Sequence, residues 1–321
     1  MQQVKDNFEK GNISWLFTKE YYNNIPLVEG LNRPVMDFGY VPLLHIKKED
    51  RTPQQKTDLK NFQAGNAKGL EQKTKWLYQK KWSNYNSYAK LLTENARFLA
   101  KNSFAATVQN PGLLFGSGIT HESGSEGEVK IGFYFDHATG LVVIPGHSIK
   151  GLIRSRFPGL IKDPKIKERN YCEIHCLLND KDYDEHVFEN MKKEDADAAK
   201  KIIEELENEM FEGIASSGER LSVYEEDIFY SAFVIESHHS RDLFLGKDSI
   251  TPHGNDPLKN PVPLPFIKLL TNTVMQFNFT FNKNGDIPVA KKLELVKKII
   301  SKYGTGAKTN VGYGQVIINN N

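Results

Sequence analysis

Apolar positions change period along the chain, and the changes divide it into helical and extended stretches. From about residue 50 to 101, Trp76, Leu77, Tyr88, Leu91 and Leu92 recur at helical spacing with few Pro or Gly, which predicts a helical segment. Alternation then begins: Phe104 to Gln109 reads as a strand, and Val129 to Phe135 and Leu141 to Ile144 flank Asp136-His-Ala-Thr-Gly140, a hairpin turn. Pro145-Gly146 opens a helix through Ile149, Leu152, Ile153 and Arg156 that Pro158-Gly159 stops. Residues 160 to 222 predict an acid-rich helical insertion. Strand character returns at Ile228 to Ile235 and Val274 to Phe281, separated by a Pro-containing segment, Ser237 to Thr273, long enough to predict a functional loop. Val289 to Tyr303 predicts an amphipathic helix with Leu293, Val296 and Ile300 on its apolar face, and Gln315 to Asn319 closes the chain as a strand.

With insertions set aside, the order is β, α, β, β, α, β. That is the ferredoxin-like split βαβ pattern, an α+β fold used by many RNA-recognition domains. The expected organisation is a mostly helical extension over residues 1–102 and a ferredoxin-like domain over 103–321, interrupted by a helical insert at about 160–222 and a second insertion at about 237–273.

Composition narrows the class of protein. With 321 residues there is ample core, and with only two cysteines, Cys172 and Cys176, no disulfide framework is expected, which suits a reducing cytoplasm. No run reaches the apolar length of a membrane span, and the first residues lack the apolar core of a secretory signal, so a cytoplasmic protein with no membrane partner is expected. Net charge is +2, so any polyanion binding must come from local distribution. From His45 to Lys101 basic residues outnumber acidic ones by more than two to one, with Trp76, Tyr78, Trp82, Tyr85 and Tyr88 interleaved; a nucleic-acid surface and a solvated helix face explain this equally well.

The strongest chemical signal is Gly304-Thr-Gly-Ala-Lys308-Thr309-Asn310-Val-Gly312-Tyr313-Gly314. Four glycines and a lysine in one turn suit a backbone that approaches an anion closely. A Walker A loop is excluded, because Ala307 rather than Gly precedes Lys308-Thr309 and Lys302 occupies the earlier glycine position. A dinucleotide fingerprint is excluded because this loop follows a helix and precedes a strand, the reverse of the order that aims a helix N-terminus at a pyrophosphate. The remaining functional reading is backbone N–H groups and Lys308 gripping phosphates of a polymer; the structural alternative is a helix C-cap at Gly304 followed by a turn. The second cluster is Ile144-Pro-Gly-His147-Ser148-Ile-Lys150-Gly-Leu-Ile-Arg154, a helix start carrying a hydroxyl and two cations, again suited to an anion.

Catalytic and metal readings are weaker. His121, His137 and His147 surround the first β-unit, and His can serve general acid–base cleavage of RNA, but no nucleophile–base pair with informative spacing is visible. Cys172, His175 and Cys176 share a helix face, with His186 as a further ligand for zinc; two buried thiols explain the pair better. No cofactor is expected.

Four segments together resemble a known family. Gly112-Leu-Leu-Phe-Gly116-Ser117-Gly118, Ile144 to Gly151, Asp248-Ser-Ile-Thr-Pro-His253-Gly254 with Asn260-Pro-Val-Pro263, and Gly306 to Gly314 resemble the RAMP proteins of type III CRISPR effectors, in particular the family of the sixth subunit of the Cmr (type III-B) complex. The resemblance covers about residues 104 to 321, and His147 stands where family members commonly carry Ser or Thr. It implies a non-catalytic, RNA-binding backbone subunit of an antiviral ribonucleoprotein. Its expected partners are guide RNA near the 3′ end, target RNA, a repeated backbone subunit, a small helical subunit and another RAMP subunit. The RNA-contacting residues it implies, taken with the two clusters, are Gly116, Ser117, Gly118, His147, Ser148, Lys150, Arg154, His253, Gly304, Gly306, Lys308, Thr309, Asn310, Gly312 and Tyr313, with Ser237 to Thr273 as a thumb-like insertion carrying His253 and Phe244. The competing reading is a RAMP-fold endoribonuclease with a His general base at His121 or His147.

Overall fold

The computed structural model describes residues 12, 13, 16, 46–115, 129, 133–250, 263–283 and 287–319. The chain falls into two units, one built from residues 1–89, 112–143 and 236–273 and the other from 90–111, 144–235 and 274–321.

The first unit is headed by helix α1 (Pro53–Tyr78), which starts where its sequence directs: Thr52 and Gln55 form a reciprocal capping box and Pro53 takes the first helical position. A short turn, Trp82–Asn84, leads to α2 (Asn86–Leu99). Trp82 and Tyr85 pack on Phe244, each with ring centroids 5.5 Å from it, and all three are buried. These aromatics therefore form core, which corrects two expectations: Trp82 and Tyr85 are not a stacking surface, and Phe244, with no exposure, is not an RNA contact. The segment expected as a long loop is instead a hairpin. Strands β5 (Leu245–Ile250) and β6 (Leu264–Leu269) pair antiparallel from Leu245 opposite Leu269 to Ile250 opposite Leu264. The strand expected over Val129 to Phe135 is reduced, among its described residues, to one bridge between Phe135 and Val142. The turn after it is as expected, with Asp136 accepting from the N–H and the hydroxyl of Thr139, both at 2.7 Å.

The second unit holds the main sheet. Its strands are β1 (Asn102–Val108), β2 (Val143–Ile144), β3 (Ile228–Phe229), β4 (Ala232–Ser237), β7 (Thr273–Thr280) and β8 (Val316–Ile318), ordered β2-β4-β7-β1-β8 with β3 also on β7. β7 and β8 both run antiparallel to β1, and α3 (Gly146–Arg154) and α6 (Val289–Tyr303) occupy the two crossovers. This is the order of a split βαβ unit and agrees with the ferredoxin-like expectation. The predicted strand over Ile228 to Ile235 breaks into β3 and β4 at Tyr230, whose N–H still bonds Asn278 O at 3.1 Å.

The sheet's two faces differ sharply. Phe104, Ala106 and Val108 of β1 align with Phe277, Met275 and Val316 on the face covered by α3 and α6. There Phe104, Phe277, Phe279 and Phe281 stack in series, and Phe229, Phe211 and Phe157 extend the cluster towards the insertion. The opposite face carries Ser103, Ala105 and Thr107, with Asn278 and Gln276 opposite the first two.

The helical insertion contains α4 (Pro164–Leu178), capped by Asp163, and α5 (Lys193–Glu207), followed by a π-helical turn at Asn208–Glu212 that Gly213 ends in a left-handed conformation. It is locked to α6 by Lys292. That side chain is fully buried and donates to Glu209, to Asp227 at 2.8 Å and to Asn282 O at 2.8 Å. The buried face of α6 is therefore Lys292, Leu295, Val296, Ile299 and Ile300, rotated from the expected one, which included Leu293. On α4, Cys172 and Cys176 are buried free thiols, and burial, together with Glu168 and Cys176, raises the Cys172 thiol to about 11. Among the described residues no three His, Cys, Asp or Glu side chains are placed to hold one metal ion.

Candidate nucleic-acid interface

The glycine-rich loop is built on the end of α6. Gly304 caps the helix by donating to Ile300 O at 2.9 Å, and Thr305 N–H then bonds Gly314 O at 2.9 Å, closing the loop at its base. Two glycines are required by that closure. A Cβ on Gly314, which has φ +77°, would lie 1.9 Å from Thr305 O, and one on Gly304 would lie 2.7 Å from Gly314 O. Gly304 and Gly314 are internal to the turn, as the expected cap requires, whereas a Cβ on Gly312 would meet only Pro111, at 3.7 Å.

Between these pins, Lys308 adopts a left-handed conformation (φ 60°, ψ 34°) and Thr309–Val311 make one 3-10 turn. A left-handed residue followed by a right-handed turn makes a shallow concavity of N–H groups. Bonds from Val311 N–H to Lys308 O and from Gly312 N–H to Thr309 O use the later donors; among the described residues none accepts from the N–H groups of Thr309 or Asn310. Gly306, Asn310 and Val311 are exposed and Lys308 is half-buried. Tyr313 is 7% exposed, so it supports the loop from inside rather than offering a ring for stacking.

The second cluster sits elsewhere on the sheet. Helix α3 begins against β3: a Cβ on Gly146 would lie 2.0 Å from Phe229 O, so only glycine lets the helix start so close to the strand. His147 and Ser148 are exposed, and Lys150 Nζ lies 5.9 Å from the Phe229 ring centroid. Arg154 departs from expectation. It is paired with Glu212 at the surface and its guanidinium lies over Phe211, so its charge has a partner within the chain. Strand order separates the clusters: the loop adjoins β8 at one edge of the sheet, and α3 follows β2 at the other. They are two separate features of one sheet, with no hydrogen bond or ion pair joining them among the described residues.

What unites them is uncompensated charge. Among the described residues neither Lys150 nor Lys308 is in an ion pair, whereas Lys297, Lys298 and Lys302 of α6 are paired with Glu294, Asp180 and Glu173. A groove of about 600 Å³ beside β8 is lined by two of those paired lysines, Lys297 and Lys298, with Ser103, Ser301 and Asn319. The sheet face opposite the helices carries polar groups outside the sequence motifs: Thr107 donates to Asn319 and Gln276 Nε2 to the buried Asn278 Oδ1, at 2.7 and 2.8 Å. Their only signal in the sequence was alternation, since one-residue steps place Ser103 and Thr107 opposite Phe104. The sheet's stacked aromatics lie on the helix-covered face, so the opposite face lacks, among the described residues of β1 and β7, the ring platform of many RNA-binding sheets, and Ser103 is its exposed polar residue on β1. Gly116, Ser117, Gly118, His121 and His253 lie outside the described residues.

Comparison with known proteins settles the family. The sequence model of the RAMP superfamily matches residues 105–317. The chain belongs to the RAMP superfamily. Among solved structures, this RAMP protein is similar to a chain of the type III-B Cmr-beta complex bound to cognate target RNA, at 17% identity and TM-score 0.46, covering 100% of this chain and 88% of that one. It is similar to Cmr6 from Pyrococcus furiosus at 16% identity and TM-score 0.37, covering 68% and 97%. A chain of a type III-A Csm complex with guide and target RNA follows at 10% identity and TM-score 0.29, covering 63% and 74%. No curated protein matches the sequence. Among the described residues no helix is long and apolar enough to cross a membrane.

Proposed function

We propose that this RAMP protein is a non-catalytic RNA-binding subunit of a type III-B (Cmr) CRISPR complex, holding guide RNA near its 3′ end beside the target and docking neighbouring subunits. The observation that carries the reading is the pinned glycine loop presenting Lys308, which like Lys150 is in no ion pair among the described residues. Such groups recognise the phosphate chain and leave sequence reading to base pairing. Membership of the RAMP superfamily supports it.

The nuclease reading is less well supported. His147 is exposed and, among the described residues, has no hydrogen bond or ion pair to orient it as a general base.

Charge reversal of Lys308 and Lys150 together is expected to weaken guide-RNA binding and to flatten the log Kd against log salt plot by about two units of slope. Unchanged affinity and slope would remove both clusters from the interface. Labelled RNA incubated with the purified protein is expected to be retained intact; cleavage abolished by His147→Ala or His121→Ala would favour the nuclease.

A further inference from the structure

Exposed large apolar side chains gather at one corner of the second unit. Tyr224 is 92% exposed, Phe98 89%, Val223 73% and Leu99 63%, above every other large apolar side chain among the described residues. They come from two distant segments, the end of α2 and the loop before β3, which are tied to the same end of β7. Leu99 O accepts from Tyr230 Oη at 3.1 Å and from Thr280 Oγ1 at 3.0 Å. Asn282 then joins the two: its Oδ1 accepts from Lys101 Nζ at 3.1 Å and its Nδ2 donates to Glu226 O at 2.9 Å. The corner is thus a built surface held by these four polar contacts, with its rings exposed.

Phe98 and Tyr224 alone present roughly 350 Å², and with Leu99 and Val223 the patch reaches the upper range for a soluble monomer. Such size suits the apolar centre of a standard interface of about 800 Å² per partner, and falls short of what an obligate homodimer buries. Charge selects the occupant. Lys90, Arg97 and Lys101 are exposed along the α2 side and outnumber its exposed acid Glu94, while Glu225 beside Tyr224 is engaged by Ser222; among the described residues none of the three cations is in an ion pair. RNA would match those cations but would leave two aliphatic side chains, Leu99 and Val223, without a partner.

We propose that this corner docks a protein partner through an amphipathic helix whose apolar stripe covers Phe98, Leu99, Val223 and Tyr224 and whose acidic flank meets Lys90, Arg97 and Lys101. This is helix-face recognition with the hot spot on the two exposed rings. It names a docking surface within the proposed function but does not depend on the lysines assigned to RNA.

The test uses the full chain and two labelled synthetic helical peptides that share a leucine stripe and carry either Glu or Lys flanks, read by fluorescence anisotropy. The acidic peptide is expected to bind about tenfold tighter than the basic one, to lose about tenfold or more on Phe98→Asp or Tyr224→Asp, and to lose its advantage on Lys90→Glu with Arg97→Glu. Because these side chains are exposed, the thermal midpoint of each variant should stay near that of the parent, and its guide-RNA affinity should be unchanged. Equal binding of the two peptides, or binding indifferent to these substitutions, would overturn the proposal. Concentration-dependent dimerisation lost on Phe98→Asp would assign the corner to a second copy, and RNA crosslinks at Phe98 or Tyr224 would assign it to RNA; either overturns it.

Discussion

Lys292 Nζ lies 2.8 Å from Asp227 Oδ2, and neither side chain has any exposure to solvent. Glu209 shares the same ammonium, so one lysine of α6 joins the π-helical turn of the insertion to the segment leading into β3. Burial raises Asp227 above the ordinary carboxylate range, and Lys292 and the Asn282 N–H pull it back. Removing the cation leaves two buried carboxylates without the ammonium they share. Lys292→Met is therefore expected to cost about 3–5 kcal/mol in chemical denaturation, and Lys292→Met with Asp227→Leu and Glu209→Leu should recover most of it. An unchanged denaturation midpoint in the single variant would show that the cluster is not needed for stability.

His175 makes stability depend on pH. Its ring packs 5.2 Å from Phe188, its Nε2 is buried without a partner, and burial, then Lys181, lowers its pKa from 6.5. The unfolded chain takes up a proton at about pH 6.5 that the folded chain refuses, so the stabilisation is present above that pH and is lost as pH falls towards the lower folded value. His175→Leu should flatten the thermal midpoint between about pH 7 and pH 5 relative to the parent; identical profiles would remove His175 from the balance.

Two glycine substitutions separate backbone conformation from crowding. Gly218 (φ +85°) has nothing within 4 Å of an added Cβ, whereas Gly314 (φ +77°) has Thr305 O at 1.9 Å. Gly218→Ala is expected to cost roughly 1 kcal/mol of strain. Gly314→Ala must also break the loop base, so it should cost clearly more and weaken RNA binding with it. Equal stabilities for the two variants would mean that the loop base relaxes freely.

Phe244 distinguishes core from contact. Phe244→Ala should destabilise by about 3–5 kcal/mol through the cavity left against Trp82 and Tyr85. The salt dependence of RNA binding should be unaltered under conditions where the variant remains folded. A changed slope with unchanged stability would restore Phe244 to the interface.

Local pattern determined much of this protein. The period of 3.6 across Val289 to Tyr303, the Thr52–Gln55 cap, the hairpin turn at Asp136 and the order of elements follow from interactions within a few residues, and the RAMP motifs stood in plain view. Tertiary structure decided the rest, because the partners were far apart in the chain. Nothing near Phe244 reveals that Trp82 and Tyr85 will cover it, and nothing near Arg154 reveals Glu212, so a core ring and a neutralised cation both read as surface chemistry. Lys292 looked polar until Glu209 and Asp227 surrounded it. The same applies to Phe98 and Tyr224, whose shared corner exists only because β7 anchors both segments. Sequence specifies which residues can do a given chemistry; long-range packing and charge pairing settle which remain free to do it.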